Sequence, residues 1–356
     1  MESLNMRPAL APAGTDWFNG TMSDFILPEV RWGIIGVGDV CEVKSAPALQ
    51  QVEGSQLVAV MRRNGEKAAD YARRHGVPRW YDDAEALIND PEVNAIYIAT
   101  PPDVHEAYTL RAAAAGKAVY VEKPMARDAV ECERMIEACA EAGVPLFVAY
   151  YRRSLPNILK VKALLKAKAI GEVRYVDVKV NKPIDPKPED TTPNPNHWRT
   201  IPEIAGGGYF YDLASHQLDV LDFLFGPIEH AAGIAANLGG TYDAEDTTMG
   251  HFRFATGVMG HGAWCFCTSQ SATEEVITVV GDNGQIKFNC FGDQSVDLQV
   301  DGEADRHLTF DIPKHIQQPL IQTMVDELRG KGECPSTGVS GARTAEVMDQ
   351  LCERVD

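Results

Sequence analysis

Between residues 30 and 150, short apolar runs alternate with helical patterns, and this alternation constrains the fold more than any other feature of the chain. Such a repeat builds parallel strands joined by crossover helices that cover both faces of the sheet. The expected strands are 30–37, 57–61, 94–100, 118–121 and 146–150, and the expected helices 40–51, 66–75, 106–115 and 128–142. Gly116 ends the third helix and Asp128 caps the fourth. The expected class is α/β, with a doubly wound parallel sheet in the first half.

Ligands of such sheets bind outside the carboxyl ends of the strands. At the first end stand Gly36 and Gly38, followed by Asp39 and Val40 where a helix opens. The glycines permit a tight turn and let backbone approach a pyrophosphate, which a helix N-terminus attracts. Cys41 replaces the third glycine of the usual fingerprint but is small enough for close packing. After the second strand come Arg62 and Arg63, where an NAD site would place a carboxylate for the ribose hydroxyls. Two guanidiniums suit a 2′-phosphate, so NADP is the expected cofactor and NAD the alternative. The blander reading is two solvated arginines at a helix start. After the fourth strand stands Lys123, between Glu122 and Pro124. A lysine at a strand end can polarise a carbonyl or alcohol oxygen, although a lysine before a proline is by itself usually a surface loop residue.

The second half has a different rhythm. A helix at 157–167 and a strand at 172–180 precede a Pro-rich loop at 182–195. Strands of antiparallel type follow at 229–236, 246–254, 257–268, 275–281 and 285–289, with a hairpin turn at Gly281-Asp282-Asn283-Gly284. An open, mostly antiparallel sheet with few helices on it needs a partner for its free face, which points to self-association. Within this half, 206–226 has helical spacing and carries Asp212 and His216 four apart, on one face. A carboxylate there can fix an imidazole tautomer for proton transfer near neutral pH, although a buried structural histidine has the same spacing. Two ligands without a third give no metal site.

The length of 356 residues suits about two domains. The expected division is an N-terminal arm at 1–29, a nucleotide-binding domain at 30–150, a substrate and oligomerisation domain at 151–340, and a C-terminal helix at 341–356. Thirty-three basic residues against fifty-one acidic give a net charge of −18, which disfavours nucleic acid. Eight scattered cysteines fit neither a disulfide framework nor a zinc site, so a reducing cytoplasm is expected; Cys265 and Cys267 should share a strand face. No apolar run suggests a secretory leader or a membrane span. Tyr150, Tyr151, Arg152, Arg153, His197 and Trp198 suggest a polar pocket with aromatic walls, suited to a sugar ring.

Taken together, the motifs resemble those of the Gfo/Idh/MocA family, that of glucose-fructose oxidoreductase and inositol dehydrogenase. The resemblance runs from about Arg31 through Gly33-Ile34-Ile35-Gly36-Val37-Gly38, Thr100-Pro101-Pro102-Asp103-Val104-His105, Glu122-Lys123-Pro124, and Gly206-Gly207-Gly208 leading to Asp212 and His216. It implies a Rossmann domain followed by an α/β domain whose open sheet makes a homo-oligomer. It also implies that Lys123 binds and polarises the substrate while Asp212 and His216 handle the hydroxyl proton, with Pro124 after a cis peptide bond. Thr100, Pro101, His105 and Glu122 would line the cofactor. Trp198-Arg199 looks like the Trp-Arg pair that some sugar-acting members place near the cofactor and substrate; Tyr151 and Arg152 are expected to bind the substrate with Trp198. Two positions depart from the pattern: Tyr151 stands where many relatives have Asn, and Ala214 where they often have Gly. The expected activity is NADP(H)-dependent hydride transfer to or from a sugar or polyol carbon. Alternatives on this scaffold are a glycosidase using transient NAD redox, a sugar–sugar oxidoreductase that retains its NADP, and a non-enzymatic nucleotide-sensing regulator.

Overall fold

The computed structural model describes residues 25–183 and 197–352. Most of the expected N-terminal arm and of the Pro-rich loop therefore lies outside the described residues, as do the last four residues and the side chain of His197.

The first half forms a six-stranded parallel sheet from β1 (Val30–Ile35), β2 (Ser55–Met61), β3 (Arg79–Tyr81), β4 (Ala95–Ile98), β5 (Ala118–Val121) and β6 (Leu146–Val148). The strand order is β3-β2-β1-β4-β5-β6, so the winding reverses between β1 and β4 and opens a crevice at their carboxyl ends. Every residue of β4 and β5 is buried, as a sheet covered on both faces requires. The covering helices are α1 (Asp39–Val43), α2 (Ala46–Gln51), α3 (Gly65–His75), α4 (Ala84–Ile88), α5 (His105–Ala114) and α6 (Ala129–Glu141). Asn64, Asp83 and Asp128 cap α3, α4 and α6 by accepting from the backbone amides of Lys67, Ala86 and Glu131.

Two details differ from the sequence reading. The helix expected at 40–51 is broken into α1 and α2, because Pro47 lacks an amide donor and disfavours helical backbone before it. β3 and α4 were not expected: segments of three and five residues are too short to display a period.

The second half begins with α7 (Pro156–Lys166) and builds an eight-stranded mixed sheet. Its strands are β7 (Val173–Pro183), β8 (Ile228–Ala236), β9 (Thr247–Phe254), β10 (Met259–Thr268), β11 (Glu274–Gly281), β12 (Gly284–Phe288), β13 (Val296–Val300) and β14 (Arg306–Leu308). In the order β14-β13-β12-β11-β7-β10-β9-β8, only β7 and β10 pair in parallel. The hairpin at Asp282-Asn283 forms where expected, whereas the polar strands β13 and β14 were not foreseen. α8 (Pro202–Ala205) and α9 (Ser215–Phe225) lie between β7 and β8, and α10 (Gln318–Leu328) and α11 (Gly338–Leu351) end the described chain.

One face of the mixed sheet is buried through Val176, Val178, Val180, Trp264, Phe266, Ile277 and Val279. The opposite face leaves Tyr175, Ile234, Met249 and Met259 exposed, and the strand registers pair Met249 with Ile234 and Met259 with Tyr175. Helix α10 returns to the first sheet, burying Leu320, Ile321, Met324, Val325 and Leu328 in the core that holds Val30 and Trp32.

A buried ion network fastens α9 to its surroundings. Arg153 is 4% exposed and donates from Nε and Nη2 to Asp219, from Nη2 to Asp222 Oδ1 at 2.9 Å, and from Nη1 to the Pro335 carbonyl. Arg343 donates to both oxygens of Asp222. Burial pushes the Asp219 carboxyl up to about 6 against the pull of Arg153. Arg153→Met leaves two buried carboxylates with Arg343 as their remaining cation. It should lower the stability read from urea unfolding by about 3–5 kcal/mol. Arg174→Met, at an exposed pair with Asp282, should change it by no more than about 0.5 kcal/mol.

Candidate active site

The crevice begins at the first glycine turn. Gly36 has φ +92°, and a Cβ there would stand 2.7 Å from Thr100 Cγ2 and 3.0 Å from the Ala99 carbonyl oxygen, so β1 and β4 approach too closely for any side chain. The amides of Gly36 and Val37 both donate to the Met61 carbonyl, which holds the turn beside the end of β2. At Gly38 a Cβ would meet nothing nearer than the Gly36 carbonyl at 3.8 Å. Intramolecular packing therefore gives no reason for glycine there, while a pyrophosphate lying on the turn does. Asp39 and Val40 open α1, and Cys41 is fully buried, its thiol pushed up to about 12 by that burial. Cys41 fills the third-glycine position as packing. Arg62 and Arg63 follow β2, ahead of the Asn64 cap, and their side chains are exposed.

Thr100 and Pro101 follow β4. His105, fully buried at the start of α5, faces the Thr100 carbonyl with Nε2 at 2.8 Å and the Pro124 and Met125 carbonyls with Nδ1. Burial lowers its pKa, so the ring is neutral and donates from only one of these nitrogens, while its body packs between the loop after β4 and the loop after β5. Glu122 is turned to the interior: Tyr97 Oη and Gln317 Nε2 donate to its Oε1, and Gln317 in turn accepts from Tyr120. The Lys123–Pro124 bond is cis, as the family resemblance implies.

Lys123 crosses to the second half of the molecule. Its ammonium donates to Asp212 Oδ1 at 2.7 Å and to the Asp212 carbonyl at 2.8 Å. Arg199 Nε donates to the other carboxylate oxygen at 3.1 Å, and its guanidinium lies 4.4 Å over the Trp198 ring. Burial pushes the Asp212 carboxyl up, but Lys123 and Arg199 hold it below its usual value.

Asp212 and His216 are four apart as expected, yet no hydrogen bond joins them. Phe210–Ala214 is a π-helical turn, after which α9 begins, and this wider turn aims the carboxylate at Lys123. His216 is 2% exposed, and its Nδ1 has no hydrogen-bond partner. Tyr151 at 5.3 Å, Phe291 at 5.7 Å and Tyr150 at 6.1 Å enclose the ring edge-on. Burial, and then the Lys123, Arg152 and Lys44 cations, push the imidazole well below its ordinary value. That direction keeps the ring uncharged at neutral pH.

Arg152 and Arg153 are adjacent in sequence and part company in space. Arg153, expected in the pocket, is committed to the interior ion network, whereas Arg152 lies over the Tyr151 and Phe291 rings. Sequence reasoning missed Gln317 and Phe291, which reach the site from remote and unpatterned segments. Among the described residues, no three His, Cys, Asp or Glu side chains gather as a metal site, and no helix is long and apolar enough to cross a membrane.

Comparison with known proteins accords with this geometry. Residues 30–150 match the model of an oxidoreductase family with an NAD-binding Rossmann fold, and residues 158–287 match the GFO/IDH/MocA C-terminal domain. Oxidoreductase P35 of Formosa agariphila is 38% identical over 330 residues, covering 91% of this chain and 98% of its own. The D-xylose 1-dehydrogenase [NADP(+)] of Haloarcula marismortui is 28% identical, over 81% of this chain and 80% of its own. Among solved structures, levoglucosan dehydrogenase in complex with NADH and levoglucosan superposes with a TM-score of 0.80 at 22% identity, covering 91% of this chain and 96% of that one. The glycine turn, the Lys123–Asp212 bridge and both family matches lead to one conclusion: the chain belongs to the GFO/IDH/MocA family of oxidoreductases.

Proposed function

We propose that this enzyme interconverts a hydroxyl and a carbonyl on a sugar or polyol, using NADP(H) by preference and NAD(H) as the alternative. The observation that carries the reading is Lys123, delivered by the end of β5 and bonded to Asp212 next to a neutral, buried His216. The named sugar and NADP(+) of the Haloarcula relative support both the substrate class and the cofactor.

Gly36, Gly38, Asp39 and Val40 would hold the pyrophosphate, Arg62 and Arg63 a 2′-phosphate, and Thr100 and Pro101 the walls around them, whereas Glu122, expected there too, is turned to the interior by its bonds to Tyr97 and Gln317. When bound, the nicotinamide supplies the acceptor or donor of the hydride. Lys123 stabilises negative charge developing on the substrate oxygen, its ammonium fixed by Asp212. His216 accepts the hydroxyl proton during oxidation and returns it during reduction. Arg199 secures Asp212 from the other side, and Trp198, Tyr151 and Arg152 border the space for the sugar. The exposed Met249, Met259, Ile234 and Tyr175 face of the mixed sheet supports self-association of two or more copies. Eight free thiols suit the reducing cytoplasm.

Calorimetric titration of nucleotide-free protein should show tighter binding of NADPH than of NADH. Arg62→Ala combined with Arg63→Ala should weaken NADPH at least about tenfold and leave NADH within about twofold, since charge-assisted bonds to phosphate are lost. Equal loss for both nucleotides would detach these arginines from the 2′-phosphate.

His216→Ala and Lys123→Met should each lower kcat about a hundred- to ten-thousand-fold in stopped-flow sugar oxidation. Near-normal turnover in both would remove the assignment.

The pH profile of kcat/KM reports the free enzyme. Because His216 ionises below its ordinary 6.5, its acid limb should lie on the acid side of that value. That limb should disappear from the residual activity of His216→Ala. A limb at 6.5 or above would point to a different base.

A further inference from the structure

Arg152 stands in the 3-10 turn Tyr151–Ser154 that follows β6, and is 4% exposed. One of its amino groups donates to the Cys290 carbonyl, but Nε is buried without a hydrogen-bond partner. Among the described residues no carboxylate pairs with it, in contrast to Arg153 next door with Asp219 and Asp222. A buried guanidinium normally has an anion, because its desolvation is otherwise uncompensated.

The surroundings place that unpaired cation at the active site. Its guanidinium carbon lies 4.3 Å from the Phe291 ring centre and 5.2 Å from that of Tyr151, the two rings that also enclose His216. Lys182, near the end of β7, brings its ammonium within 5.3 Å of the same Phe291 ring and has no ion-pair partner among the described residues. Glu275, the carboxylate that meets the Cys290–Phe291 backbone, accepts from the amides of both residues and from Gln217, so it holds the loop in place. Asp212 is taken by Lys123 and Arg199. Around His216 the site thus gathers surplus positive charge, inside a chain whose net charge is −18.

We propose that Arg152 and Lys182 form a subsite for an anionic substituent on the substrate, so that the enzyme acts on an acidic sugar in preference to its neutral counterpart. A carboxylate or a phosphate ester offers the paired oxygens that a planar guanidinium binds through parallel N–H donors. Phe291 and Tyr151 lie against the planar guanidinium and shield it from water, which strengthens that pairing. The inference rests on the oxidoreductase reading above and narrows its substrate class.

The test compares the neutral probes D-glucose and D-galactose with D-glucuronate, D-galacturonate and the two hexose 6-phosphates. Each is measured for binding to the NADP-loaded protein and for turnover. An anionic member of at least one set should exceed its neutral partner at least about tenfold in affinity or kcat/KM, as one charge-assisted bidentate contact provides. A uronate response identifies a carboxylate and a hexose phosphate response identifies a phosphate ester.

In Arg152→Gln the ratio of anionic to neutral sugar should fall at least about fivefold, with part of it restored in Arg152→Lys. A purely structural role would lower both sugars together and leave the ratio unchanged. Lys182→Gln, at a partly exposed position, serves the same purpose if the Arg152 variants do not fold. Neutral sugars handled as well as anionic ones, binding of none of the probes, or an unchanged ratio in the variants would overturn the proposal. Turnover of neutral sugar alone would still leave the dehydrogenase standing, whereas failure to bind either nicotinamide nucleotide would remove both readings.

Discussion

The bridge from Lys123 to Asp212 joins the two halves of this molecule at the place where their chemistry meets. Lys123 is positioned by a strand buried on both faces, and Asp212 by a π-helical turn ahead of a buried helix. Neither side chain has much freedom, since the ammonium is held by two oxygens of one residue and the carboxylate by two cations. An ion pair so enclosed adds little net stability compared with apolar packing, but leaving either member alone is costly. Its value here is geometric: it fixes the position of a positive charge beside a histidine that the same charge helps to keep neutral.

The surrounding architecture serves that arrangement. His105 packs between the loop after β4 and the loop after β5, while Glu122 and Gln317 fasten the end of β5 to the start of α10. On the other side, the Arg153–Asp219–Asp222–Arg343 network secures α9, which carries His216. These buried polar groups have partners, whereas Arg152 Nε and His216 Nδ1 do not.

Much of this was legible in the sequence because it depends on local pattern. The parallel strands appear as continuous apolar runs, and the glycine turn, Glu122-Lys123-Pro124 and the Asp212–His216 spacing stand out as motifs. What escaped depends on three-dimensional neighbours. β3, α4, β13 and β14 are too short or too polar to show a period. Spacing alone placed Asp212 beside His216, and an added π turn redirected the carboxylate. Nothing in the pair Arg152-Arg153 says which guanidinium meets carboxylates and which meets rings, because a 3-10 turn separates them by about a third of a revolution. Gln317 lies almost two hundred residues from Glu122, its partner.

The return of α10 to the first sheet bears on modularity. Residues 30–150 carry the whole parallel sheet, yet the apolar cover around Val30 and Trp32 includes Leu320, Ile321, Met324, Val325 and Leu328 from the far end of the chain. A fragment ending at Tyr150 would expose that surface to water, and Glu122 would lose its donor from Gln317. The nucleotide-binding half is therefore completed only when the chain is nearly finished. Those five side chains lie beyond the family's first modular boundary, so that boundary does not enclose all of the apolar cover the parallel sheet uses.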